Sequence, residues 1–280
     1  MRDLLRSLPL VGGLFALPPA VAVLRLAGAI GTVGLTGRGL TLERTGPLID
    51  RVFALAHVEA VAVVISSPGG SATQSFMIAE RIRQLADEKN RRVIAFVEDV
   101  AASGGYILAL AADEIIAHPA SIVGSIGVIS GGFGFQEAIA RLGIERRVYA
   151  QGARKALLDP FRPEDPDEVA RLKALQADVY GQFTALVRSR RGAKLKDGGA
   201  GLFEGDIWTG HQALELGLVD GLGDIRSTLR VRYGEKVRLY EIAPPRSWLA
   251  PFGTEAAAFP DADALIESLE RRALWARVGL

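Results

Sequence analysis

The sequence predicts an α/β fold built on a mainly parallel sheet. Two observations carry that expectation. Short runs rich in valine, isoleucine and alanine recur along the chain with no polar alternation, as in strands covered on both faces. Between them lie stretches whose apolar residues follow helical spacing, so that strand and helix alternate. No repeat of solenoid length interrupts the pattern.

The elements follow in order. The first strand is expected over residues 21–26, where Arg25 alone breaks the apolar run, and a helical pattern follows over 46–56. The second strand, 60–65, is wholly apolar and runs into the turn residues Pro68-Gly69-Gly70. Helical spacing over 75–90 places Ile78, Ile82, Leu85 and Ala86 on one stripe, with Glu80, Arg81, Arg83, Gln84 and Asp87 facing out. Strands are then expected at 93–97, 114–117 and 147–149, and helices at 104–111, 133–142, 167–190 and 212–216. Residues 243–260 are rich in proline and small residues and read as a linker. A last helix over 261–278 carries Leu265, Ile266, Leu269, Ala273 and Leu274 on one face. Such a stripe docks on its own domain or on a neighbouring subunit, and does not name its partner.

Composition narrows the function. With 49% apolar and 23% charged residues the chain is globular rather than disordered. A net charge of +1 and scattered arginine pairs give no basic face for nucleic acid. The absence of cysteine removes disulfides, thiolate metal sites and cysteine catalysis together. Three dispersed histidines without a His-Glu-x-x-His pattern argue against catalytic zinc, so neither metal nor cofactor is expected. At the N-terminus, Arg2 and Arg6 precede the apolar run 8–17, and Ala20-Val21-Ala22 matches a small-residue cleavage site. Prolines and glycines break that run, and cleavage there would cut into the first strand. The expectation is a retained segment over 1–20 on the cytoplasmic side, peripheral to the inner membrane. Export after cleavage is the alternative.

The chemistry concentrates in Ala101-Ala102-Ser103-Gly104-Gly105-Tyr106. A serine between small residues, just after a strand and just before a helix, reads as a nucleophile on a sharp turn. Its hydroxyl needs a base. His57, His118 and His211 lie in no polar or glycine-rich constellation that would hold them beside it. That points to the serine–lysine variant, with Lys155 of Gly152-Ala153-Arg154-Lys155 as candidate base. Arg154 is excluded because a guanidinium stays protonated. A lysine base must be neutral, which burial in an apolar pocket favours. The acidic run Glu164-Asp165-Pro166-Asp167-Glu168 reads as the solvated start of a helix rather than an acid/base pair.

Four segments in order resemble peptidase family S49, the signal peptide peptidase A type of bacteria. They are Ser66-Ser67-Pro68-Gly69-Gly70-Ser71; Ala101 to Tyr106 continuing through Asp113-Glu114-Ile115-Ile116-Ala117; Val123-Gly124-Ser125-Ile126-Gly127; and Gly152-Ala153-Arg154-Lys155. A weaker fifth match is Ile207-Trp208-Thr209-Gly210-His211. The resemblance implies the Clp/crotonase-like ββα superhelix over 21–242, with Ser103 as nucleophile and Lys155 as base. It further implies Ser125 as the hydroxyl that orients the lysine, and the Gly70 N–H, with that of Gly104, as oxyanion donors. Peptide substrates such as remnant signal peptides, and a homo-oligomer with residues 261–280 as an arm, are also implied. Two other readings share the fold: a crotonase-like acyl-CoA enzyme, and a non-catalytic peptide-binding scaffold.

Overall fold

The computed structural model describes residues 18–31, 39–152, 154–199, 201–242 and Trp275. They form two compact units, one of residues up to 126 together with those from 187 onward, the other of residues 127–186.

The first unit is built on β1 (Ala20–Ala27), β2 (Ala60–Ser67) and β3 (Arg92–Ala102), mutually parallel and adjacent. All eight residues of β2 are buried, as a central strand with both faces covered requires. The sheet is extended by β4 (Glu114–Ala117), β5 (Ile122–Gly124), β6 (Ile207–Thr209), β7 (Gly221–Leu222) and β8 (Arg238–Glu241). Its order is β6-β5-β3-β2-β1-β8, with β4 joined to β3 and β7 to β4. Every pairing is parallel except β5 with β6.

The functional geometry begins in β3. This strand outruns the expected 93–97 and serves two neighbours: Ile94 to Val97 pair with β4, and Val100 to Ala102 pair with β5. Between the two halves its register against β2 slips, from Ile65↔Val97 to Ser67↔Ala101. The extra length sits at Glu98 and Asp99, both exposed, where Ser66 Oγ donates to Asp99 Oδ2 at 3.1 Å. Those two charges ended the apolar pattern in the sequence, although the strand continues past them.

Helices α1 (Leu42–Phe53), α2 (Ala72–Glu88) and α3 (Gly104–Ala109) follow β1, β2 and β3 in turn. The start of α1 lies earlier than expected because the Thr41 hydroxyl caps it, accepting from Arg44 N. In α2 the stripe Ile78, Ile82, Leu85 and Ala86 is buried as predicted. Further on, α6 (Gly210–Glu215) opens on a capping box between Thr209 and Gln212, and α7 (Ile225–Tyr233) is capped by Asp224. Leu229 of α7 packs into a core with Val21, Val23, Ala62, Ile94 and Phe96. Burying one such leucine or phenylalanine side chain is worth about 1.5–3 kcal/mol. Neither α7 nor β8 was anticipated.

The second unit holds α4 (Gln136–Arg141) and most of α5 (Pro166–Arg191). The helix expected at 133–142 is shorter than its pattern. The strand expected at 147–149 does not form: these residues have no ladder partner among the described residues, and Val148 and Tyr149 are exposed. Strand propensity needs a neighbour to pair with. The expected N-terminal segment, save for residues 18–20, and the whole of the expected linker lie outside the described residues. Of the C-terminal helix only Trp275 is described, and it packs against Val100 and Ala102.

Candidate active site

β3 ends at Ala102 and α3 begins at Gly104, leaving Ser103 alone to turn the chain. It does so at φ 52°, ψ −119°. A non-glycine residue held at such angles costs about 1–3 kcal/mol and persists only where its surroundings enforce it. One enforcing contact is the Ser103 N–H, which donates to Gly124 O of β5 at 2.7 Å. A serine at a helix N-cap ordinarily turns its hydroxyl onto the first-turn amides. Ser103 makes no such bond. Its strained strand-to-helix turn is that of a nucleophile elbow.

Glycines press against this turn because nothing larger fits. A Cβ on Gly69 would lie 2.9 Å from Ala102 O, Gly104 N and Ser103 Cβ. On Gly104 it would lie 2.3 Å from Ser75 Oγ, and on Gly105 2.4 Å from Ser67 O. Gly70 adopts φ 140° beside Ile30, whose N–H donates to Gly69 O and whose carbonyl accepts from Ser71 N. That pattern turns the Gly70 N–H away from Ile30. No described residue accepts from the N–H of Gly70 or of Gly104.

Ser125 follows Gly124, the residue whose carbonyl holds Ser103. A Cβ on Gly124 would lie 2.6 Å from the Trp208 ring, and Ser125 N donates to Asp206 O at 2.6 Å. The first unit therefore carries Ser103, Ser125, Gly70 and Gly104 together. Lys155 belongs to the second unit, exposed, in a turn where its N–H donates to Gly152 O at 3.0 Å. His57, His118 and His211 are exposed and none is bonded to Ser103. His118 Nδ1 accepts from Ala120 N, and His211 faces Glu215. No group of three or more His, Cys, Asp or Glu among the described residues could hold a metal ion.

Sequence reasoning missed two supports. Tyr106 of α3 is fully buried, and its hydroxyl donates to Leu218 O at 2.7 Å; burial pushes that phenol upward. Close by, Asp220 accepts from Ile115 N at 2.8 Å, Arg191 Nη1 at 2.8 Å and Lys194 Nζ at 2.7 Å. Burial opposes its ionisation, but these donors outweigh it and hold the carboxyl at about 2. The second miss is Glu168. The acidic run was expected to be solvated, yet Glu168 is only 8% exposed and turns inward to Leu158 and Arg162. Arg162, six residues upstream, was the available signal.

An elbow of this kind at the end of a parallel strand, on a sheet whose third strand serves two neighbours, belongs to the Clp/crotonase-like fold class. Within that class the chain is a member of peptidase family S49, whose profile matches residues 85–236, just over half of its 280 residues. Ser103, Ser125 and Lys155 lie inside the match. A Brucella abortus protein named Na(+)/H(+) antiporter NhaA is 48% identical over 277 residues, which is 95% of this chain but 38% of that protein. The chain thus spans well under half of that longer relative, whose name covers the whole of it. No described helix of this chain is long and apolar enough to cross a membrane. A Synechocystis protein named as a protease is 37% identical over 196 residues, covering 67% of this chain and 69% of its own. An Arabidopsis thaliana chloroplastic serine protease, SPPA, is 29% identical over 82% of this chain and 35% of its own. Among solved structures, a mutant of the 1510-N membrane-bound stomatin-specific protease superposes with a TM-score of 0.51 at 20% identity, over 82% of this chain and all of that one.

Proposed function

We propose that the chain is a serine endopeptidase that cleaves unfolded, apolar peptides, remnant signal peptides among them, through a Ser103–Lys155 dyad. The observation that carries this reading is the Ser103 turn, with an uncapped hydroxyl, against which the Gly69-Gly70 loop packs; the N–H groups of Gly70 and Gly104 donate to no described residue. Ser103 Oγ attacks the scissile carbonyl carbon while neutral Lys155 Nζ takes the hydroxyl proton. The oxyanion accepts from the N–H groups of Gly70 and Gly104, each such donor being worth about 3–4 kcal/mol in the transition state. The lysine then returns the proton to the leaving amine. Water, losing a proton to the same nitrogen, attacks the acyl carbon; the lysine passes that proton to the departing Ser103 Oγ, which releases the acid and restores both residues. Ser125 Oγ accepts a hydrogen bond from Lys155 and orients it.

Family membership and the protease names of the Synechocystis and Arabidopsis relatives support the reaction class. The exposed Gly70 beside the Ser103 turn carries no side chain, and neither glycine of that loop offers a charged group to select a substrate side chain. The working form is a homo-oligomer on the cytoplasmic face of the inner membrane, where a ring would keep folded proteins from an unselective cleft. Digestion of an unfolded protein by wild type and by Ser103→Ala, side by side, tests the reading. Fragments are expected from the first alone, and equal digestion by a folded Ser103→Ala overturns it.

A further inference from the structure

We infer that Glu168 and Arg162 are the positioning residues of Lys155. The inference rests on the dyad reading above. Glu168 sits in the first turn of α5 but is buried rather than solvated. Its Oε2 accepts from Leu158 N at 2.8 Å, and its Oε1 accepts from Arg162 Nη2. The same Arg162 nitrogen donates to Ala156 O at 2.6 Å. A single ion pair therefore grips the carbonyl one residue after Lys155 and the amide three residues after it.

Leu158 shows what the grip holds. It adopts φ 53°, a conformation leucine avoids unless its surroundings impose it. The rest of the loop is fastened as well. Asp159 Oδ1 accepts from Phe161 N at 3.0 Å, and Asp159 Oδ2 from Arg146 Nε at 3.1 Å. The Phe161 N–H, followed by Arg146, holds the Asp159 carboxyl below its ordinary range. Ahead of the lysine, Gly152 O takes its N–H. The backbone carrying Lys155 is thus fixed on both sides, while its long side chain projects from it exposed. Glu168 is buried but the Arg162 side chain is 41% exposed, and an ion pair open to water on one side contributes little net stability, so conformational definition is the better account of its presence. Asp165, by contrast, bonds within its own helix start, accepting from Asp167 N. A lysine that must meet a hydroxyl at hydrogen-bond distance needs a fixed origin, because a displacement of about 1 Å costs roughly 100-fold in rate.

The charged groups around this loop are Arg146, Arg154, Asp159, Arg162 and Glu168. Asp165, Asp167, Arg171 and Asp178 line the adjoining cavity of about 810 Å³, together with Arg154 and Glu168. Charge alone and positioning make different predictions. Glu168→Gln leaves Arg162 unpaired and, through charge alone, would move the rising limb of the pH–rate profile, on which the lysine loses its proton, to lower pH. Arg162→Ala leaves Glu168 unpaired and would move it to higher pH. If the pair acts by positioning, both variants loosen the loop and lower the rate across the pH range, without opposed shifts of the limb. Both lower kcat roughly 10- to 100-fold with KM unchanged. The experiment measures kcat, KM and the pH profile of the full chain on a fluorogenic unfolded peptide, for wild type, both variants and Lys155→Ala. Opposite limb shifts, or an unchanged kcat in either folded variant, overturn the inference. If Glu168→Gln does not fold, the kcat of Arg162→Ala decides. Turnover surviving in Lys155→Ala instead sinks the dyad reading itself, which separates the two failures.

Discussion

Replacing Gly104 with alanine probes the nucleophile turn with a single methyl group. Gly104 does not use a left-handed backbone, and at a helical position alanine is intrinsically favoured by up to about 1 kcal/mol. Any loss must therefore come from contact. The new Cβ would lie 2.3 Å from Ser75 Oγ, 3.2 Å from Ile30 Cδ1 and 3.3 Å from Ser75 Cβ. Overpacking of this kind costs about 1–3 kcal/mol, which the alanine preference offsets only in part, for a net loss of up to about 3 kcal/mol. That corresponds to a fall in Tm of up to about 10 °C. Because residue 104 supplies a proposed oxyanion N–H, kcat falls about 100-fold as α3 backs away. The partner substitution is Ser75→Ala. It removes the atom at 2.3 Å and loses the Ser75 Oγ bond to Ser71 O, worth about 1 kcal/mol. The double variant should be more stable than Gly104→Ala alone, an interaction that calorimetry on the four proteins of the cycle resolves. Strict additivity, or full activity in Gly104→Ala, would refute the reasoning.

Two further outcomes are expected. Asp220, held at about 2, contributes stability that is present above its ordinary value near 4 and is lost as pH falls toward 2. With Lys194 half exposed and screened, Asp220→Asn should cost about 1–2 kcal/mol at pH 7, the gap from wild type closing between about pH 4 and 2; a gap independent of pH, followed by denaturant melts, contradicts this. On substrates, cleavage-site mapping of an unfolded protein should show cuts beside small or apolar residues, and strong selection for lysine or arginine would count against an uncharged cleft.

What was legible in the sequence was whatever local pattern determines. β2 and the α2 stripe are apolar at every position that matters, so their periodicity was sufficient. The Ser103 turn was legible because a serine between small residues and two glycines, at a strand end, marks a tight turn; a role for it was read only together with the other segments. Elements that depend on a distant partner were harder. Glu98 and Asp99 hid the second half of β3, which exists because β5 pairs with it. Residues 147–149 carry strand propensity without a pairing strand among the described residues, and β8 is short and forms against β1. Glu168 was hidden for the same reason: an acidic helix start looks alike whether its carboxylate faces water or an arginine across a loop. Lys155 was chosen from its setting and resemblance, neither of which says in which unit the residue lies.

The central claim is that Ser103 is a nucleophile made reactive by Lys155. Labelling with a fluorophosphonate probe, followed by peptide mass spectrometry across a pH series, tests it most directly. The adduct is predicted on Ser103, forming faster from neutral toward alkaline pH and lost in a folded Lys155→Ala variant. An adduct on another residue, or undiminished labelling of Ser103 without Lys155, would contradict it.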